Sequence, residues 1–268
     1  MDEYGNYTIS DNVMFQKVMQ NEEVCRIVLK CIIGWDVKEI VYYDTEKTVQ
    51  GTLDGKNARL DVFVEEAVDG KALTRIYDVE MQAFNEKYIA QRMRVYQARM
   101  DKDYPKKGKS YGTVPESYMV FICMDDPLKK GIPVYSIEHV CIEDPTCEFD
   151  TLAHWKILYA PAFDQLEHGP LRDLLEYVST GAANSDKMRI LSEEVGVVNR
   201  DAEWRCGVRT FEEFAEQHAI EASEDAREEG RAEMQNELLA ALMENAGMSE
   251  SEARKALGLD AASAEVSG

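Results

Sequence analysis

The sequence predicts an α/β fold of the α+β kind, with helices on a mixed sheet and a helical C-terminal region. Three observations carry this expectation. Residues 38–82 alternate apolar and polar positions in three runs separated by Asp54-Gly55 and Asp69-Gly70. Asp-Gly between alternating runs is a strong hairpin signal. Residues 85–104 contain no Gly or Pro and set Ile89, Met93, Tyr96 and Met100 on one helical stripe. Residues 117–124, SYMVFICM, form a short apolar run suited to a strand buried on both faces.

The elements follow in order. Residues 11–33 read as one helix, capped by Ser10 or Asp11, with Phe15, Val18, Met19, Ile27, Val28 and Cys31 at helical spacing. Segments 38–51, 57–66 and 73–82 make an antiparallel three-strand meander. The 85–104 helix crosses over to the 117–124 strand, and 132–140 adds another strand. From about residue 148 the pattern reads as helices, including 150–159 and 170–179. This divides the chain into a core over 1–147, a helical extension over 148–215 and an acidic helical tail over 216–268. In the tail, Ser249 and Glu252 form a capping box. The last two helices read as a packing hairpin or a means of homo-oligomerisation. As a DNA-reading pair they are poor, because Arg254 and Lys255 stand against Glu250 and Glu252.

Composition narrows the function. The 268 residues are 45% hydrophobic and carry a net charge of -21. Such a chain repels polyanions at long range, which counts against nucleic-acid binding by bulk charge. Screening over about 8 Å still permits a local basic strip. No run is apolar enough to span a bilayer, and the opening MDEYGNYTISD is polar, so the expected location is the cytoplasm, with no membrane partner. Six cysteines without a C-x-x-C pair read as reduced, mostly buried thiols. The spacing of His139, Cys141, Cys147 and His154 matches no common zinc site.

The residues that can do chemistry lie in the meander. In ARLDVFVEE, residues 58–66, Asp61 projects opposite Leu60 and Val62. In RIYDVEMQ, residues 75–82, Asp78, Glu80 and Gln82 share one face and Tyr77, Val79 and Met81 the other. Glu80 and Gln82 are then about 7 Å apart along the strand. Strand pairing through Asp69-Gly70 sets Asp61 beside Glu80. Two carboxylates on adjacent strands suit a hard cation such as Mg2+, and the next polar group can orient a water. The competing reading is an ordinary solvated acidic face. The following window, 83–112, holds eight Lys/Arg against three Asp/Glu. Arg92, Tyr96 and Arg99 fall on neighbouring helical turns, and Lys106, Lys107 and Lys109 follow in a loop. This strip can contact a phosphate backbone, or it can be a solvated helix face.

Taken together, Asp11-x-x-x-Phe15, RLDVFV, DVEMQ, QRMRVYQARM and KKGKSYG resemble the PD-(D/E)XK nuclease family transposases, also called the recombination-promoting nuclease (Rpn) family. The resemblance covers roughly residues 8–145 and implies a restriction-endonuclease-like αβββαβ core. It also implies Mg2+-dependent DNA cleavage, with Mn2+ as a substitute. Asp61 and Glu80 fall on the family's two acidic positions and Gln82 on the position held by lysine in the wider superfamily. Glutamine is common there in the transposase-like branch, but it supplies no positive charge. Asp11 is a possible accessory acid, or simply an N-cap.

The resulting expectation is an endonuclease of low sequence preference. Asp61 and Glu80 ligate the metal, Gln82 positions water or phosphate, and Arg92, Tyr96, Arg99, Lys106, Lys107 and Lys109 hold DNA. The alternative is a nuclease-fold binding or assembly module that has lost catalysis.

Overall fold

The computed structural model describes residues 6–44, 47–49, 58–60, 62–67, 74–83, 88–208, 240, 242–243 and 249–257. By internal contacts the chain divides into two units, 1–202 and 203–268.

The first unit begins with two helices where the periodicity predicts one. Helix α1 spans Asn12–Val18 and α2 spans Glu22–Ile33. The break comes from Asn21. Its side-chain oxygen accepts from the backbone N–H groups of Glu23 and Val24, so a new N-terminus starts inside an unbroken apolar stripe. Gly34, at φ 90°, ends α2 in the left-handed conformation that glycine adopts without strain.

The strands are β1 (Glu39–Asp44), β2 (Lys47–Val49), β3 (Ala58–Leu60), β4 (Val62–Ala67), β5 (Arg75–Gln82), β6 (Glu116–Cys123), β7 (Val134–Ile137) and β8 (Ala153–Tyr159). Six of them form one mixed sheet in the order β1-β4-β5-β6-β8-β7, and β2 and β3 form a separate ribbon. The expected meander is present, since β1 pairs antiparallel with β4 and β4 with β5. Its Asp-Gly turns lie outside the described residues. Helix α3 (Ile89–Asp101) then makes the crossover that lets β6 run parallel to β5.

A second expectation is corrected. Residues 150–159 are not helical, because β8 lies there and pairs parallel with β6. Its inner end, Ile157 and Leu158, is buried, so alternation is lost where the strand meets both layers. The remaining helices of this unit include α4 (Pro170–Thr180) and α5 (Asp186–Arg200).

β5 and β6 sit at the centre, with every residue after the first of each strand buried. Alternation gives the sheet two distinct faces. Ile89, Met93 and Met100 of α3 pack on one, against Phe63, Ile76, Met119, Phe121, Cys123 and Ile157. Tyr77, Val79 and Met81 point to the other, toward the layer that includes α1 and α2. On that second face Tyr77 donates to Glu66 at 2.6 Å, Arg75 pairs with Glu116 at 3.0 Å, and Tyr118 stacks between Tyr77 and His154. Among the described residues no helix is long and apolar enough to cross a membrane.

In the second unit α6 spans Glu250–Ala256, and the capping box forms as expected. The Ser249 backbone N–H donates to Glu252 Oε2 at 2.9 Å, and the Glu252 N–H donates back to Ser249 Oγ at 3.4 Å.

Candidate active site

β5 sends Ile76, Asp78, Glu80 and Gln82 toward the face that α3 covers. These polar side chains are not solvated: Asp78 is 0%, Glu80 2% and Gln82 7% exposed. The helix above them is the reason. The connection from Gln82 to Ile89 is short, so the first turns of α3 come back over the C-terminal half of β5.

Arg92, in the first turn of α3, reaches this row. Its Nη1 donates to Gln82 Oε1 at 2.7 Å, and its Nη2 lies 3.9 Å from Glu80 Oε2. Nη2 also donates to the Tyr96 hydroxyl at 3.1 Å. The guanidinium carbon sits 5.3 Å from the Tyr96 ring centroid and 5.4 Å from that of Phe121. Gln82 turns its amide back to donate to the Met81 carbonyl at 3.0 Å, which leaves Oε1 facing the arginine. Next to this group, burial pushes the Cys123 thiol up to about 12, although the positive charge of Arg92 opposes the shift. A buried carboxylate needs a close counter-charge, and here the guanidinium supplies one.

α3 is held in place by a second polar link. Gln97 donates to Ser117 Oγ at 2.9 Å and to Asp101 Oδ1 at 3.0 Å, and accepts from Trp155 Nε1 at 2.9 Å. Beyond the helix, the Tyr104 hydroxyl donates to Glu65 at 2.7 Å, and burial raises its pKa.

The other sequence candidates are placed as follows. Asp61 lies outside the described residues; its neighbour Val62 pairs with Val79. Arg99 is half-buried in the last turn of α3, while Lys106, Lys107 and Lys109 are exposed in the loop after it. Tyr96 is half-buried and turned toward Arg92. Asp11 stands at the N-cap position of α1, but its carboxylate accepts from the backbone N–H of Thr8 at 2.6 Å and caps nothing ahead of it.

Phe121 is the member that sequence reasoning passed over. It pairs with Glu80 across the β5–β6 register, so the signal was the parallel alignment of DVEMQ with MVFIC.

Among the described residues no group of three or more His, Cys, Asp or Glu is gathered as metal ligands. Among the described residues the donors beside Arg92 are the Glu80 carboxylate and the Gln82 carboxamide oxygen, with the buried Asp78 carboxylate two residues back on the same strand face. All are hard oxygens, which fit an ion of the Mg2+ type that keeps several waters. A cavity of about 470 Å³ lies elsewhere, lined by Lys30, Cys31, Gly34, Leu166, Pro170 and Arg172 among others, and shares no residue with this row.

A family model described as PD-(D/E)XK nuclease family transposase matches residues 12–160, more than half of the chain. That range includes the whole row on β5, the arginine of α3 and β8. No curated protein and no solved structure gives a significant match.

Proposed function

Because the chain belongs to the PD-(D/E)XK nuclease family transposases, we propose that it is a metal-dependent endonuclease that hydrolyses DNA phosphodiester bonds with low sequence preference. A nuclease-type function is what membership implies. The observation that carries the finer reading is the buried row of Glu80 and Gln82 with the Arg92 guanidinium against it. Buried ionic groups are costly to hold, and such clusters concentrate at functional sites.

In this reading Glu80 and Asp61 hold the cation, with Mg2+ as the natural ion and Mn2+ as a substitute. The support for Asp61 is its place in the sequence beside Val62, which pairs with the neighbour of Glu80. When bound, such an ion polarises a phosphoryl oxygen and lowers the pKa of its water. Gln82 orients water or phosphate through its carboxamide, which hydrogen-bonds without adding charge. Arg92 offers a planar fork of donors to phosphate oxygens. Tyr96, Arg99, Lys106, Lys107 and Lys109 carry the backbone contacts, and Asp11 remains an accessory acid. Hydrolysis forms a bond from a water oxygen to phosphorus and breaks one bridging P–O bond. The leaving oxygen ends as a hydroxyl. The sequence carries no recognisable base-reading module, so in this reading backbone contact dominates and sequence preference is low. The reading includes a cytoplasmic location and self-association through the C-terminal part of the chain.

The test is nicking of supercoiled plasmid by wild type, Asp61→Ala and Glu80→Gln, with Mg2+ or with EDTA. Nicking by wild type with Mg2+ alone, lost in both variants, is expected. Cleavage that survives EDTA or both substitutions overturns the assignment.

A further inference from the structure

Arg92 already fills the electrostatic role that a bound cation would take. Glu80 is 2% exposed, and a carboxylate so enclosed is stable only beside positive charge. Its Oε2 lies 3.9 Å from Arg92 Nη2, and Gln82 Oε1 accepts from Nη1 at 2.7 Å. One carboxylate oxygen of Glu80 and the carboxamide oxygen of Gln82 therefore face a guanidinium. A divalent ion within about 4 Å of that group is repelled strongly, even at an effective dielectric of about 20. The Arg92 side chain is a quarter exposed, so it has a way out toward solvent. Its fork of donors fits a phosphate as well as a carboxylate.

We propose that Arg92 is a resident counter-ion that the divalent cation displaces from Glu80 and Gln82, and that the released guanidinium then takes a phosphate oxygen of the nucleic acid. The inference rests on the metal-dependent reading of the site given above. It has a thermodynamic signature. Metal and DNA bind with positive coupling, because the metal drives Arg92 off the carboxylate and the phosphate receives it. The coupling is reciprocal. Tyr96 acts as the latch, since its hydroxyl holds Nη2 at 3.1 Å and its ring faces the guanidinium.

The decisive measurement is calorimetric titration of the full-length protein with Mn2+ and with Mg2+, without substrate. Arg92→Gln is expected to bind metal at least about tenfold tighter than wild type, and Tyr96→Phe to shift the same way by less. Binding of a cleavage-resistant phosphorothioate duplex is measured with and without Ca2+. Wild type gains affinity with the ion, and Arg92→Gln loses that gain. In thermal melting, Arg92→Gln melts below wild type without metal and recovers with it. An arginine that only stabilises the fold would give the lower melting point with no tightening of metal binding.

Unchanged or weaker metal affinity in Arg92→Gln overturns the displacement while leaving the metal site standing. No metal binding in either wild type or Arg92→Gln removes the metal reading and this inference together. If Arg92→Gln does not fold, Tyr96→Phe decides, and an unchanged affinity there overturns the proposal.

Discussion

Replacing Gln97 by alanine tests how α3 is fastened over the active row. One side chain, 8% exposed, links α3 to β6 through Ser117 and to β8 through Trp155, and also bonds Asp101 on its own helix. The three hydrogen bonds are worth ~0.5–1.5 kcal/mol each. Two of the partners keep an alternative. Ser117 Oγ also donates to the Leu152 carbonyl at 3.3 Å, and Asp101 is only half-buried, within reach of water. The Trp155 indole N–H has Gln97 as its acceptor and loses it outright. A stranded donor costs ~1–3 kcal/mol. The expected loss is about 3 kcal/mol, or about 6–12 °C in Tm for a unit of this size. Urea unfolding followed by tryptophan fluorescence measures it, and a double-mutant cycle with Trp155→Phe isolates the shared bond. A loss below about 0.5 kcal/mol, or strict additivity in the cycle, refutes the fastening argument. Gln97→Glu adds a pH signature. Burial already raises the Asp101 pKa, although the hydrogen bond from Gln97 lowers it. A second carboxyl there favours a shared proton, so that variant recovers stability as pH falls.

Five further outcomes follow from other parts of the molecule. Tyr77→Phe removes the 2.6 Å bond to Glu66, a carboxylate that is 0% exposed, and should cost ~1.5–3 kcal/mol in urea unfolding. Burial pushes the Glu116 pKa up, but hydrogen bonds from Tyr118 and Arg75 outweigh it and hold the carboxyl below 4.5. Its stabilising contribution is therefore present above pH 4.5 and lost as pH falls through the folded value, so Glu116→Gln should flatten the acid limb of the stability curve. Thiol titration of the native protein at pH 8 should find Cys147 and Cys206 fast, Cys141 slower, and Cys25, Cys31 and Cys123 reactive only on unfolding. Burial raises the Cys31 pKa to about 11, so the neutral thiol's contribution to stability holds below pH 9.0 and fades as pH climbs toward that value. Replacing Lys106, Lys107 and Lys109 together by alanine should lower the salt dependence of DNA binding by up to about 3 in log–log slope, with no change in sequence preference. An unchanged slope takes the exposed loop out of the interface.

Local pattern was enough for β1, β4 and β5 of the sheet, though not for the separate β2–β3 ribbon that falls within the runs 38–51 and 57–66. Alternation in RIYDVEMQ assigned Asp78, Glu80 and Gln82 to one face, and the register Val62–Val79 and Phe63–Asp78 agrees with it. It could not show that this face is covered, because coverage comes from the return of α3 over β5. The alternative of a solvated acidic face fails for that reason. β8 was hidden because no tight turn announces it: a long connection separates it from its antiparallel partner β7, and its parallel partner β6 lies some thirty residues earlier. The break at Asn21 was hidden by periodicity itself, since α1 and α2 keep apolar residues in step on both sides of the cap. Arg92 was visible as a basic residue near the acids. Its inward direction was not, and that direction separates it from the exposed lysines of the loop.

The inner side of α3 carries two jobs in one angular window. Arg92 and Tyr96 serve the acids, while Met93, Gln97 and Met100 bind the sheet. A residue inserted or deleted within that helix turns everything beyond it by about 100°. The anchor and the arginine then cannot both stay in phase with β5. Strand and helix consequently behave as one cassette, to be tuned by side-chain exchange or transplanted whole into another scaffold, but not re-spaced.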